Sequence, residues 1–104
     1  MQIATTDHLP GQTVETALGI ARGSVVRARF FGRDFIAGLR SLVGGEVNEY
    51  TNLLAESREQ ALERMIHHAK SMGADAVVNV RFTSNTIMEG TAEMLAYGTA
   101  VKLK

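Results

Sequence analysis

The sequence contains no cysteine. That absence removes disulfides, zinc–thiolate sites, iron–sulfur clusters and thiol nucleophiles together, and it fits a reducing compartment. No apolar run approaches the roughly 20 residues of a membrane-spanning helix. Met1 to Pro10 carries neither the basic start nor the apolar centre of a signal peptide. The expectation is a cytoplasmic protein with no membrane partner. Net charge is also lacking: 11 basic and 11 acidic residues cancel, which argues against polyanion binding as the main task. Phosphate-loop and dinucleotide fingerprints are missing, because Gly19 and Gly23 lack the required companions and Gly44-Gly45 is not followed by Lys-Ser or Lys-Thr. Ser41, Ser57 and Ser71 fall on helical patterns, and no motif links a serine to a histidine and a carboxylate.

What is present suffices for one domain spanning residues 1–104. Hydrophobic residues make up 45% of the 104, and a chain of this size buries about two-thirds of its unfolded surface. Ile3 to Thr6 reads as a short strand, closed by Asp7, Pro10 and Gly11. Val14 to Phe31 reads as a long strand or hairpin with Gly19 and Gly23 as bulges or bends. There Val14, Thr16, Leu18 and Ile20 set one face, Val26, Ala28 and Phe30 continue it, and Arg27 and Arg29 take the wetter side. Asp34 suits the N-cap of a short helix from Phe35 to Val43, ended by Gly44-Gly45.

From Asn48 to Met72 there is neither proline nor glycine, and Tyr50, Leu53, Leu54, Ala61, Met65, Ala69 and Met72 keep to a helical stripe. Leu54 and Met65 are therefore expected to be buried together. Asn48 or Thr51 suits the cap, Gly73 ends the helix, and the acids near its start and bases near its end suit the helix dipole. Ala76 to Thr83 reads as a strand, Ser84 to Gly90 as a loop, and Glu93 to Leu103 as a last strand with Met94, Ala96, Gly98 and Ala100 on one side. The order is β-β-α-α-β-β: an α+β fold, a predominantly antiparallel sheet with one long helix packed on it.

Charge is unevenly placed. Arg22, Arg27, Arg29, Arg33 and Arg40 face only Asp34 in their segment, whereas Glu46, Glu49, Glu56, Glu59 and Glu63 outnumber Arg58 and Arg64 in theirs. The plain reading is that the two segments pair, within a chain or between copies; the alternative is an anion site built from the arginines. Phe30, Phe31 and Phe35 among those arginines also suit base stacking, but the zero net charge speaks against nucleic acid as a partner.

Six blocks stand out: Thr5-Thr6, Gly23 with Val25-Val26-Arg27, Val43-Gly44-Gly45 with Tyr50, Ala55-Glu56-Ser57-Arg58-Glu59 with Ala61, Gly73-Ala74-Asp75-Ala76-Val77-Val78, and Gly98-Thr99-Ala100-Val101. Together they resemble the YbjQ family of small bacterial and archaeal proteins, which carries a heavy-metal-binding label. The resemblance covers essentially the whole chain. It implies a dodecin-like subunit and a ring-shaped homo-oligomer, a pentamer or two stacked pentamers, and it implies no established activity. Glu46-Val47 depart from the family pattern of a basic residue and a serine after the glycine pair, which speaks against anion binding by that loop.

The best metal-ligating constellation is Glu59, Glu63 and His67, four residues apart on one helical stripe. Carboxylate and imidazole suit a hard or borderline divalent ion, especially with a ligand from a symmetry mate. The ordinary reading is a solvated face with His67 stabilising the helix end. His67 and His68 diverge by about 100° and do not readily share an ion. His8 beside Asp7 is a candidate base in a turn, and Asp75 is read as capping local backbone amides. A divalent ion is thus the one cofactor with a candidate site. The expectation is a non-enzymatic homo-oligomer binding a small ligand or ion where subunits meet, its rival a small-molecule enzyme with an inter-subunit site.

Overall fold

The computed structural model describes residues 1–27, 48–88 and 91–104. The elements are β1 (Gln2–Ile3), β2 (Val14–Arg27), α1 (Asn48–Ser71), β3 (Ala76–Met88) and β4 (Thr91–Leu103). The expected helix from Phe35 to Val43, its cap and its glycine pair lie outside the described residues. The four strands form one sheet in the order β1-β3-β4-β2. β4 runs antiparallel to both β2 and β3, and β1 alone pairs in parallel, with β3. The fold is α+β and the sheet predominantly antiparallel, as the patterning predicts.

The helix lies on one face of this sheet. Ala61, Met65 and Ala69 are fully buried against Ala21, Val25, Val77, Val80, Met94, Ala96 and Ala100. Leu54, expected to be equally buried, is only half-buried, as is Met72. Glycine ends the helix as expected. Gly73 has a φ of 82°, its N–H bonds the Lys70 carbonyl, and the Ala74 N–H bonds the Ala69 carbonyl, the pair of bonds that defines a Schellman ending.

Two expectations about β2 are corrected. The buried face is Ala21, Gly23 and Val25, while Ile20 and Val26 are exposed. β2 bulges twice, between Val14 and Thr16 and again after Ala17, where Ala17 pairs with Val101 and Gly19 with Ala100, so two steps on β2 match one on β4. An extra residue moves every later side chain to the other face. Gly19, with φ 130°, sits in the second bulge as expected, but Gly23 is in regular register opposite Ala96. Gly23 is there for space. A Cβ at that position would collide with the Met65 amide nitrogen and the Ala61 carbonyl oxygen, so the helix backbone rests directly on the strand.

The expected loop over Ser84–Gly90 is also corrected, because β3 continues to Met88. Ser84, Asn85 and Thr86 pair with Met94, Glu93 and Ala92. All three are exposed, so this arm needs no alternation of apolar residues. Asp75 does not cap local amides. Its Oδ2 accepts the Leu103 N–H (2.9 Å), and its own N–H bonds the Val101 carbonyl (2.9 Å), which ties the start of β3 to the end of β4. On the sheet face away from α1, Leu9 is buried with Ala76, Val78 and Val101, so the segment after β1 covers one end of that face. Farther along this face Ile20, Val26 and Tyr97 are exposed.

Candidate functional site

The stripe Glu59, Glu63 and His67 lies on α1, and all three side chains are exposed. Glu59 and Glu63 line an open groove of about 510 Å³ together with Ala55, Glu56 and Gln60. His67 is not among these lining residues. Helix geometry gives the reason: each four-residue step advances about 40° round the axis, so His67 sits about 80° round and about 12 Å along from Glu59. The structure therefore brings two of the three residues together and adds Glu56. Among the described residues no three histidine, aspartate or glutamate side chains converge as a metal site would require.

A neighbouring face of the helix does something periodicity did not suggest. Arg64 Nη1 donates to the Ser24 carbonyl (2.6 Å), and the Arg22 N–H donates to His68 Nδ1 (3.1 Å). Among the described residues β2 is an edge strand. These two side chains, four residues apart, satisfy backbone groups of that strand which no described strand takes up, and so blunt the edge against stray pairing. An imidazole accepting at Nδ1 carries its hydrogen on Nε2. The i, i+4 spacing of Arg64 and His68 was legible, but not what it faces.

The expected pairing of arginines with glutamates is not seen among the described residues. Of the arginines concerned, Arg22 forms no ion pair among the described residues, and the Arg27 side chain is not described; elsewhere Arg64 and Arg81 donate to backbone carbonyls, Arg81 to those of Thr5 and Val80 (2.9 Å each). Arg29, Arg33 and Arg40 lie outside the described residues. The one ion pair among the described residues joins His8 Nδ1 and Asp7 Oδ1 at 2.7 Å. The hydrogen bond and charge of His8 hold the Asp7 carboxyl below its ordinary value. Both side chains are largely exposed, at 70% for His8 and 79% for Asp7.

Comparison with known proteins fits this architecture to a family. The model of a family described as "Putative heavy-metal-binding", YbjQ, matches residues 1–104. The chain belongs to the YbjQ family. A UPF0145 protein of Methanosarcina acetivorans is 55% identical over 103 residues, which cover 99% of this chain and 97% of that protein. UPF0145 proteins of Archaeoglobus fulgidus and Colwellia psychrerythraea are 54% and 47% identical, covering 98% and 100% of this chain and 94% and 99% of theirs. A crystal structure of a DUF74-family protein of unknown function from Pediococcus pentosaceus superposes with a TM-score of 0.67 at 13% identity, over 100% of this chain and 98% of that one. That likeness concerns the fold alone.

The family description invites a test of fit, and for a thiophilic heavy metal the thiolate is missing from this YbjQ chain. Soft metals select thiolate and thioether ligands. Of its five methionines, Met65 and Met94 are buried in the core and Met72 packs against it. Among the described residues no helix is long and apolar enough to cross a membrane.

Proposed function

We propose that this YbjQ protein is a non-enzymatic homo-oligomer that binds a small ligand or a divalent ion where its subunits meet. The observation that carries the proposal is the outer stripe of α1. Glu59, Glu63 and His67 are exposed and metal-competent in type, yet the helix spreads them over about 12 Å. One chain does not close them round one ion. Donors from a second copy, set against the Glu56/Glu59/Glu63 groove, complete such a site with oxygen and imidazole ligands. A dodecin-like subunit and a pentameric or decameric ring, implied by the sequence resemblance, belong to the same proposal. So does a cytoplasmic setting, which suits a chain without cysteine. The rival reading, an enzyme with an inter-subunit active site, gains nothing from His8 and Asp7, the one acid–base pair among the described residues.

Calorimetric titration of Mn²⁺, then Zn²⁺, into the parent protein and Glu63→Ala tests the site. Glu63 is exposed, so its loss is expected to change stability by less than about 0.5 kcal/mol while abolishing the heat of ion binding. A variant that binds either ion as the parent does, or a parent that binds neither, would remove the helix stripe as the site.

A further inference from the structure

The face of the sheet turned away from α1 has a second concavity, unrelated to the helix groove. Register sets what it contains. Arg22 pairs with Tyr97 on β4, and Tyr97 pairs with Arg81 on β3, so the three residues form one cross-strand row with Tyr97 in the middle. The next row is Ile20, Thr99 and Val78. Between the rows lies a cavity of about 350 Å³ lined by Ile20, Asn79, Arg81, Tyr97, Gly98 and Thr99. That volume falls within the roughly 300–1,000 Å³ of small-molecule sites.

Three features give this hollow the character of a ligand site. First, β3 leaves regular register between Val78 and Arg81, and Asn79 within that irregularity has a φ of 55°. Left-handed residues at bulges concentrate where a side chain is re-aimed for a task. Secondly, two apolar groups at the site are left in water: Ile20 is 63% exposed and Tyr97 38%. Thirdly, the positive charge is uncompensated among the described residues. Arg22 and Arg81 form no ion pair among the described residues. Arg81 spends Nη1 on the Thr5 and Val80 carbonyls, which fixes its position, and its other nitrogens have no partner among the described residues. Glu93, on the same face of β4, is four residues from Tyr97, about 13 Å along the strand.

The geometry points to a binding site for a small aromatic anion, its ring over Tyr97 and Ile20 and its anionic group held between Arg22 and Arg81. Guanidinium forks suit carboxylate and phosphate oxygens, and the Thr99 hydroxyl and Asn79 amide supply further donors. Leu9 covers Val78 and Val101 and is not among the residues that line the hollow.

Phenyl phosphate is the probe, with inorganic phosphate and phenol as controls that each carry half of its chemistry. Amide chemical shifts of the parent protein are followed during titration. The expected result is saturable shifts at Asn79, Tyr97 and Thr99, with phenyl phosphate binding at least about tenfold more tightly than either control. Arg22→Gln and Tyr97→Leu should each weaken it about tenfold. Arg81→Lys, which keeps the charge but loses the fork, should weaken it less than Arg81→Gln. Because Arg81 also anchors the Thr5 segment, Arg22→Gln decides the matter if the Arg81 variants misfold. Equal affinities for phenyl phosphate and inorganic phosphate, no saturable shifts, or unchanged binding by Arg22→Gln and Tyr97→Leu would each overturn the proposal.

Discussion

Gly23→Ala is expected to destabilise the protein by about 3 kcal/mol or more, the upper end of what overpacking costs. The added methyl group would meet the Met65 amide nitrogen and the Ala61 carbonyl oxygen, and it would lie 2.6 Å from Arg64 Cβ. None of these is the far end of a flexible side chain. The helix has to lift off β2, and lifting it strips Ala61 and Met65 from the core and pulls Arg64 and His68 from the strand edge. Against a total stability of about 5–15 kcal/mol for a typical domain, that loss is severe. Gly11→Ala is the control. Gly11 has φ 78° and no neighbour within 4 Å of an added Cβ, so only the conformational cost applies, about 1–2 kcal/mol. Urea melts of the two variants separate the effects. A Gly23→Ala protein as stable as Gly11→Ala would mean that the helix does not cross β2 at this point.

Met65→Ala should cost about 2–5 kcal/mol. Met65 is among the largest side chains with no exposed surface, at 0%, and it lies at the centre of the cluster formed by Ala21, Val25, Val77, Val80 and Ala96. The buried residues around it are mostly small alanines and valines, many of them on a paired sheet, which collapse poorly into a vacated space. Leu54→Ala, by contrast, removes a half-buried side chain and is expected to cost about 1–2 kcal/mol. Thermal or urea unfolding gives both values. Equal losses would place Leu54 as deep as Met65, as stripe arithmetic alone would have it.

That comparison shows where the sequence was legible. The long helix could be read because its apolar spacing is sustained and Gly73 closes it, and β4 because the small Ala96, Gly98 and Ala100 alternate with the larger Leu95, Tyr97 and Thr99. The phase of β2 could not be read past Ala17. A bulge adds one residue, and nothing in Ala17-Leu18-Gly19 distinguishes a bulged glycine from a packed one. Gly23 shows the converse, a glycine kept for close approach that looks like a bend. The outer arm of β3 is polar because both its faces meet solvent, and polar residues read as loop. At the candidate sites, the types and spacing of Glu59, Glu63 and His67 were visible, but the drift of the helix that keeps His67 out of the groove decides their use. The Arg22–Tyr97–Arg81 row joins three strands, and its members are distant in sequence. Only register brings them together.

The central claim, that copies of this chain assemble and bind where they meet, is tested most directly by native mass spectrometry of protein purified without metal-affinity steps. The expected spectrum at micromolar concentration shows five or ten copies of the 11.3 kDa chain, with an ion or small ligand retained by the assembly and lost on dissociation. A spectrum holding only the single chain across that range would contradict it.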